Sequence, residues 1–186
     1  MTLSLLLTVS LPDWLTERIE PGRAYPSDAD KVGLAIALSR LNIEHASGGP
    51  FGAAVFDDAH RLVAAGVNRV VSQNCSVAHA EIMAYVAAQQ TLGRFRLNET
   101  GQSYVLATSA QPCCQCYGAT VWAGVDALLI GARSEDVEAL TEFDEGPLPA
   151  DWIGELQRRG IAVRRDILRE QACAVLADYG AHGPHY

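Results

Sequence analysis

The sequence predicts an α/β protein built as a three-layer α/β/α sandwich. Short apolar runs typical of buried strands alternate with helical segments along most of the chain, which favours a sheet covered by helices on both faces. The length of 186 residues, with 49% hydrophobic residues, suits one well-buried core and is too short for two ordinary domains. We therefore expect a single layered domain.

The first predicted elements are a long helix and a strand hairpin. Ser27 and Asp30 have the spacing of a capping box, and the residues that follow are apolar almost all round. This pattern predicts a largely buried helix from 28 to about 45. Two apolar runs at 51–56 and 62–67 then predict paired core strands.

Helices and strands alternate along the rest of the chain. Apolar side chains recur every three or four residues from Val77, so a helix begins near that point. Pro112 is predicted in the first turn of a helix that reaches about Trp122, because proline is tolerated there. The other predicted elements are strands at 104–108, 126–131 and 161–165 and helices at 135–143, 152–159 and 170–179.

This alternation divides the chain into three segments. Residues 1–25 precede it and are predicted to be an N-terminal extension, an appended strand or arm. Residues 26–179 form the predicted domain. Residues 180–186 are a polar tail, on which His182 and His185 are expected at the surface.

The composition disfavours nucleic-acid and membrane partners. With 22 Asp plus Glu against 14 Lys plus Arg, the acidic chain repels polyanions, and its basic clusters are short. No run approaches the roughly 20 apolar residues that span a bilayer. The apolar run from Leu3 to Leu11 has no preceding Lys or Arg and no cleavage pattern after it, so a cytoplasmic protein is expected rather than a secreted one.

A cluster of cysteines within residues 113–116 suggests metal chemistry rather than a disulfide framework. Together with His79, Cys113 and Cys116 supply the three protein ligands of a catalytic zinc site, which leaves a fourth position for water. The two cysteines are three residues apart at a predicted helix start, where the helix dipole favours thiolates. We therefore expect one Zn2+ per subunit, with Glu81 as the proton carrier.

Three alternatives compete with a catalytic zinc site. A structural zinc site would need a fourth ligand, for which Cys75 or Cys114 is close in sequence. A metal-free redox pair would explain the cysteines alone, and coincidence would require no site. On an ideal helix Glu81 would also point about 200° away from His79, so its role requires a splayed helix start.

The His-Ala-Glu triplet at 79–81 and the Pro-Cys-Cys-Gln-Cys run at 112–116 resemble the signature of zinc nucleobase deaminases in the cytidine deaminase superfamily. The resemblance covers the chain from Gly48 to about Gly131. It implies a cytidine deaminase-like fold with a five-stranded mixed sheet, and it makes residues 26–179 the expected catalytic domain. The implied reaction is hydrolytic deamination of a nucleobase with release of ammonia.

Further positions resemble the substrate site of the bacterial guanine deaminases in this superfamily. Phe51 lies in a Gly-Pro-Phe-Gly run like that of the strand beneath the pocket. Asn68 lies where purine-acting members place a base-binding asparagine, with a turn asparagine as the alternative. Glu145 is the candidate second active-site carboxylate, with Asp144 as alternate and ordinary surface acids as the alternative. Tyr186 resembles an aromatic residue that closes the partner subunit's pocket, with a frayed terminus as the alternative.

The resemblance therefore implies a homodimeric guanine deaminase with exchanged C-terminal segments, which converts guanine to xanthine and ammonia. A carboxylate suits this base because guanine offers two adjacent N–H donors, and cytosine offers no such pair. The alternatives are a transfer-RNA adenosine deaminase, a cytidine or deoxycytidylate deaminase, and a non-catalytic zinc-binding scaffold. Aminotriazines with the same amino and oxo edge are alternative substrates.

Overall fold

A five-stranded mixed sheet forms the centre of the protein, which confirms the prediction. The structure, a computed structural model, describes residues 6–183. The strands are β1 (Gly52–Asp57), β2 (Leu62–Val67), β3 (Tyr104–Ala110), β4 (Ala127–Ala132) and β5 (Ala162–Arg164), and their order in the sheet is β2-β1-β3-β4-β5. Strand β1 is antiparallel to β2 and β3, whereas β3, β4 and β5 run parallel.

Helices cover both faces of the sheet, so the three layers are also confirmed. They are α1 (Trp14–Arg18), α2 (Asp28–Glu44), α3 (Ala80–Leu92), α4 (Cys114–Ala123), α5 (Ser134–Leu140), α6 (Trp152–Arg158) and α7 (Arg169–His182). Phe56 and Leu129 point into the core beneath α2 and α7, whereas their chain neighbours Val55 and Leu128 point into the core beneath α3. Successive strand residues face opposite sides, so β1 and β4 each supply both cores. No helix within residues 6–183 has the length and apolar character needed to cross a membrane.

Two predicted helix boundaries near the conspicuous motifs are wrong. Pro112 precedes α4 rather than lying in its first turn, because Cys113 has the extended backbone of an N-cap residue (φ -65°, ψ 176°). The helix predicted at 135–143 ends before Thr141, whose backbone is extended and whose hydroxyl donates to the Val137 carbonyl oxygen at 2.6 Å. An irregular segment therefore follows α5.

The N-terminal segment packs against the domain. Its described part contains α1, and Leu15 of that helix is buried in the core. Ala24 forms an isolated antiparallel bridge with Arg61 beside the start of β2. The Arg69 guanidinium donates to the Ser10 carbonyl oxygen at 3.2 Å, so the N-terminal segment also contacts the loop that follows β2.

At the other end, α7 continues through His182, so the tail predicted at 180–186 begins as helix. Gly180 lies tightly against the end of α5, since a Cβ atom there would be 2.0 Å from the Leu140 carbonyl oxygen. His182 is exposed, as predicted. Residues 184–186, and with them Tyr186, lie outside the described residues.

The contact between β2 and α3 leaves no room for a side chain at Gly66. A Cβ atom there would lie 2.3 Å from the Ala80 carbonyl oxygen and 2.4 Å from the Ala84 backbone nitrogen. Both atoms belong to the helix backbone, so α3 would have to move. We expect Gly66→Ala to lower the free energy of unfolding by about 1–3 kcal/mol in urea titrations.

Gly118→Ala in α4 is the matched control for this substitution. No atom lies within 4 Å of a Cβ built at Gly118, and alanine favours a helix interior over glycine. This variant should be as stable as the wild-type protein or more stable by about 0.5–1 kcal/mol. Equal stability of the Gly66→Ala and Gly118→Ala variants would contradict the close packing of α3 on β2.

An ion pair joins α5 to α7. The Arg169 guanidinium donates to both carboxylate oxygens of Asp136, at 2.7 Å each. This hydrogen bonding lowers the pKa of Asp136 from 3.8 to about 2. Because the folded pKa lies below the unfolded value, the pair stabilises the protein above about pH 4, and this stabilisation is lost as the pH falls through about 2.

Arg169→Met should therefore lower the Tm slightly at pH 7, because it removes a partly exposed ion pair that solvent screens. Thermal melts of both proteins between pH 7 and pH 2 would measure the effect. The Tm difference should narrow as Asp136 becomes protonated. A difference that stays constant across this range would show that lost packing, not lost charge, causes the destabilisation.

Candidate active site

The start of α3 places His79. This residue is the N-cap of the helix, with an extended backbone (φ -70°, ψ 158°), and its carbonyl oxygen accepts from the Met83 N–H at 2.9 Å. The extended backbone takes His79 out of the helical spiral, so that His79 and Glu81 line the same cavity. The structure thus supplies the splayed helix start that Glu81 needs.

The start of α4 places the two cysteines in the same way. Cys113 is its N-cap and Cys116 lies in its first turn. The Sγ atoms and a ring nitrogen of His79 lie within 4.8 Å of one another, and Cys113 Sγ is 3.5 Å from His79 Nδ1. Tetrahedral zinc, with Zn–S of about 2.3 Å and Zn–N of about 2.0 Å, holds sulfur and nitrogen ligands roughly 3.5 Å apart. The donor types and their spacing therefore fit zinc.

The other nearby cysteines do not join this cluster. Within the described part of the chain, the metal-ligating group consists of His79, Cys113 and Cys116, and it includes neither Cys75 nor Cys114. Cys114 is exposed, as the helical period predicts. Three protein ligands leave a position for water, which is typical of catalytic rather than structural zinc sites.

The two thiols are linked by a hydrogen bond. This bond from Cys116 lowers the pKa of Cys113 to about 4, because it favours the thiolate. Donating the bond, together with burial, raises the pKa of Cys116. At His79, burial disfavours the charged ring, but the hydrogen bond to Cys113 and the surrounding negative charges outweigh burial and raise the pKa. A divalent cation offsets the negative charge that this cluster concentrates.

Glu81 is buried beside the cluster, with 6% of its surface exposed. Burial and the negative charge of Cys113 raise the pKa of Glu81 to about 7. A carboxyl group with a pKa near neutrality both accepts and releases protons readily at neutral pH. The arrangement therefore suits Glu81 to proton transfer.

Asn68 follows β2, and the backbone fixes the orientation of its amide. The Oδ1 atom accepts from the N–H groups of Gly49 and Val70, at 3.3 Å each. The main-chain oxygen of Asn68 accepts from Asn42 Nδ2 at 2.9 Å. Asn68 is buried and lines the cavity. It is thus a turn residue, and its position also allows the predicted contact with a ligand.

The irregular segment after α5 brings a second carboxylate to the cavity. Glu145 is buried, and its main-chain oxygen accepts from the Cys114 N–H at 2.9 Å, which ties the segment to α4. Burial, with the negative charges of Cys113 and Glu81, raises the pKa of Glu145 to about 8, and the two positive charges of a bound zinc ion would lower this pKa again and favour the carboxylate. Asp144 lines the cavity too, but it is exposed and its Oδ1 accepts from a backbone N–H at 2.8 Å. The geometry therefore favours Glu145 over Asp144 as the carboxylate that meets a ligand.

A cavity of about 150 Å³ joins these groups. Its apolar wall contains Phe51 and Phe143, whose ring centroids are 5.5 Å apart. Phe143 in turn stacks on the buried Tyr179 of α7, at 5.9 Å. Aromatic walls and converging polar groups in so small a space suit a single planar ring system.

The family model of the cytidine and deoxycytidylate deaminase zinc-binding region matches residues 27–132. The chain belongs to this family of zinc deaminases. The solved guanine deaminase from Nitrosomonas europaea is 44% identical, with a TM-score of 0.91 over 98% of this chain and 100% of that chain. Other solved structures of this relative contain purine analogues. One contains 2,6-diaminopurine. Three contain 8-azaguanine bound to protein variants in which one asparagine or one glutamate is substituted.

Two further relatives are named for different substrates, one for guanine and the other for adenosine in tRNA. The guanine deaminase of Bacillus subtilis is 35% identical over 111 residues, which cover 60% of this chain and 67% of that protein. A tRNA-specific adenosine deaminase of Buchnera aphidicola is 28% identical over 155 residues, which cover 82% of this chain and 95% of that protein. Zinc is the cofactor of this zinc deaminase, and the histidine–cysteine cluster is positioned to hold it.

The structure brings nearly all the predicted site residues of the zinc deaminase together. Those beside the cavity or in the metal cluster are Phe51, Asn68, His79, Glu81, Cys113, Cys116, Asp144 and Glu145. Tyr186 lies outside the described residues, so its role stays a prediction.

Sequence reasoning missed three residues that line the cavity, namely Val70, Gln111 and Phe143. Phe143 lies inside the acidic stretch at 141–145, and Gln111 directly precedes the Pro-Cys motif. Their positions beside these motifs could have marked both residues as candidates for the cavity wall. Nothing in the sequence distinguishes Val70 from an ordinary surface residue.

Proposed function

We propose that this zinc deaminase hydrolyses guanine to xanthine and ammonia. The observation that carries the proposal is the buried carboxylate of Glu145, which shares one small cavity with Glu81 and the zinc ligands. Guanine presents the ring N1–H and an amino N–H side by side, and one carboxylate accepts both. The similarity to two guanine deaminases supports this substrate.

The walls of the cavity explain how a purine is held. Phe51 and Phe143 offer aromatic surface to the faces of the ring, and Asn68 offers an amide whose orientation the backbone fixes. Tyr179 supports Phe143 from behind. These contacts orient the base so that its amino-bearing edge faces Glu81 and the metal.

The reaction consumes one water and releases one ammonia. Bound zinc supplies a water molecule of lowered pKa that is nucleophilic at neutral pH. Glu81, buried beside the residues that would hold the zinc, would accept one proton of the attacking water. Glu81 would pass this proton to the ring nitrogen next to the amino-bearing carbon as the water oxygen bonds to that carbon. It would then take the remaining proton of that oxygen and pass it to the amino nitrogen, so that a carbonyl forms, the carbon–nitrogen bond breaks and ammonia leaves. The burial of Glu81 limits its contact with bulk water during these transfers.

Steady-state assays with zinc-loaded protein test this function. Guanine, cytosine, cytidine, adenine, aminotriazines and a transfer RNA would be compared by ammonia release, with xanthine identified as the guanine product. We expect guanine to give the highest kcat/KM. Absence of guanine turnover would overturn the proposal, and turnover of the transfer RNA alone would favour the adenosine deaminase alternative.

We further propose that the protein is a homodimer in which residues 180–186 reach the partner's cavity. The end of α7 supports a role of the tail at a cavity, because Tyr179 stacks on Phe143 in the cavity wall of its own chain. Light scattering would give the oligomeric state. Deletion of residues 183–186 should raise the KM for guanine if Tyr186 closes a cavity, and an unchanged KM would contradict that role.

A cytoplasmic location is also proposed. All five cysteines lie within the described residues and are free thiols. A zinc site with two thiolates is stable in a reducing compartment, where such thiols stay reduced. Cell fractionation with an antibody to the protein would test the location.

A further inference from the structure

Gln111 is a buried polar side chain that the proposed reaction does not yet use. It follows the last residue of β3 and lines the cavity, with only 5% of its surface exposed. Its Oε1 atom is buried and has no hydrogen-bond partner among the described residues. Among those residues, it is the one buried side-chain oxygen or nitrogen in this condition.

Leaving such an oxygen unpaired is costly. A buried acceptor without a donor loses about 1–3 kcal/mol relative to its hydrated state. Buried polar groups are therefore almost always paired, and an exception in an enzyme cavity points to a ligand that completes it. Gln111 fits this case because its side chain is among those that line the cavity.

The backbone holds Gln111 firmly in this position. Its N–H donates to the Ala132 carbonyl oxygen at 2.9 Å, which continues the pairing of β3 with β4. Pro112 follows, and the residue before a proline is restricted to extended conformations. The main chain of Gln111 is therefore fixed at the edge of the cavity before a ligand arrives.

We infer that Gln111 is a specificity-determining residue whose Oε1 accepts one N–H of the exocyclic amino group of the substrate. This inference rests on the proposed function. The amino group of guanine has two N–H bonds: Glu145 takes one together with the ring N1–H, and the other points away from that carboxylate. Gln111 accepts this second N–H, and so holds the group that leaves as ammonia.

A neutral acceptor is the suitable choice at this point. The carboxyl groups of Glu81 and Glu145 already line the cavity, and the sulfur atoms of Cys113 and Cys116 belong to the metal-ligating cluster. A further carboxylate would repel them, whereas an amide oxygen accepts the N–H without adding charge.

Binding measurements on Gln111→Met, in a Glu81→Gln background that prevents turnover, test the inference. Methionine keeps the length of the side chain and removes the acceptor. The probes are guanine and hypoxanthine, which is the same ring without the amino group. We expect the substitution to weaken guanine binding at least about 10-fold and to change hypoxanthine binding less than about threefold, because only guanine supplies the N–H. Gln157→Met on the exposed face of α6 is the matched control.

Thermal melts and zinc content separate this role from a structural one. Because the amide oxygen is unpaired in the protein, Gln111→Met should keep its zinc and melt at the same temperature or higher. A lower Tm with loss of zinc, an equal loss for both purines, or no loss for guanine would each overturn the inference. If the Glu81→Gln parent binds neither purine and the wild-type protein does not deaminate guanine, the proposed function itself fails.

Discussion

Replacement of Glu81 by glutamine is expected to lower kcat for guanine by at least about 10³-fold while the protein keeps its zinc. Glutamine has the same shape as glutamate but cannot take up or deliver a proton at neutral pH. Glu81 is buried beside His79 and Cys113, and burial holds its pKa at about 7, so no neighbouring water replaces it easily as proton carrier. The loss should therefore appear in kcat rather than in KM.

Parallel measurements of turnover and metal content check this expectation. Ammonia release gives kcat, and elemental analysis gives the zinc per chain, which should stay close to that of the wild-type protein. Glu44→Gln, at the exposed end of α2, is the matched control and should retain wild-type activity. A Glu81→Gln variant with normal kcat would show that another group carries the proton, and one without zinc would show that Glu81 also maintains the metal site.

Replacement of Glu145 by glutamine is expected to lower kcat/KM for guanine by about 10³-fold. The carboxylate accepts two N–H groups of the base, and each hydrogen bond to a charged group contributes about 1.5–3 kcal/mol. An amide can accept only through its oxygen, and its own N–H groups then face the donors of guanine. Because Glu145 is buried, water does not replace the lost contacts.

A comparison with Asp144→Asn assigns this role to one of the two acids. The asparagine side chain would keep the oxygen that accepts the backbone N–H in the turn, so a small change in kcat/KM is expected from this exposed position. Both variants should bind zinc fully, since neither acid belongs to the metal-ligating cluster. A large loss in Asp144→Asn with normal activity in Glu145→Gln would exchange the two assignments.

The layered fold could be predicted because it depends on local patterns. Helix α2 begins with the capping box that the spacing of Ser27 and Asp30 predicts, and both reciprocal hydrogen bonds are present. Strands β1 to β4 follow from short apolar runs that are buried from both faces, whereas β5 is largely exposed. The metal ligands were equally predictable, because a histidine and two cysteines with this spacing have few other uses.

The helix ends were less predictable, and they decide the site. The extended N-cap conformations of His79 and Cys113 turn both ligands towards one point, and no periodicity in the sequence reports them. The end of α5 before Thr141 likewise depends on a side-chain hydrogen bond to the preceding turn. That early end frees the segment with Phe143 and Glu145 to cross to the cavity.

Residue types and short spacings were enough to predict the fold class and the three metal-ligating residues, and to propose Glu81 as the proton carrier. The tertiary structure alone decided that Glu145 rather than Asp144 turns inward, that Phe143 and Gln111 join the cavity wall, and that Glu81 stands beside His79. Burial and unpaired hydrogen-bonding groups arise only when segments distant along the chain come together. The proposed selectivity for the substrate depends on these buried cavity residues, whereas the metal chemistry depends on the His-Ala-Glu and Pro-Cys-Cys-Gln-Cys motifs.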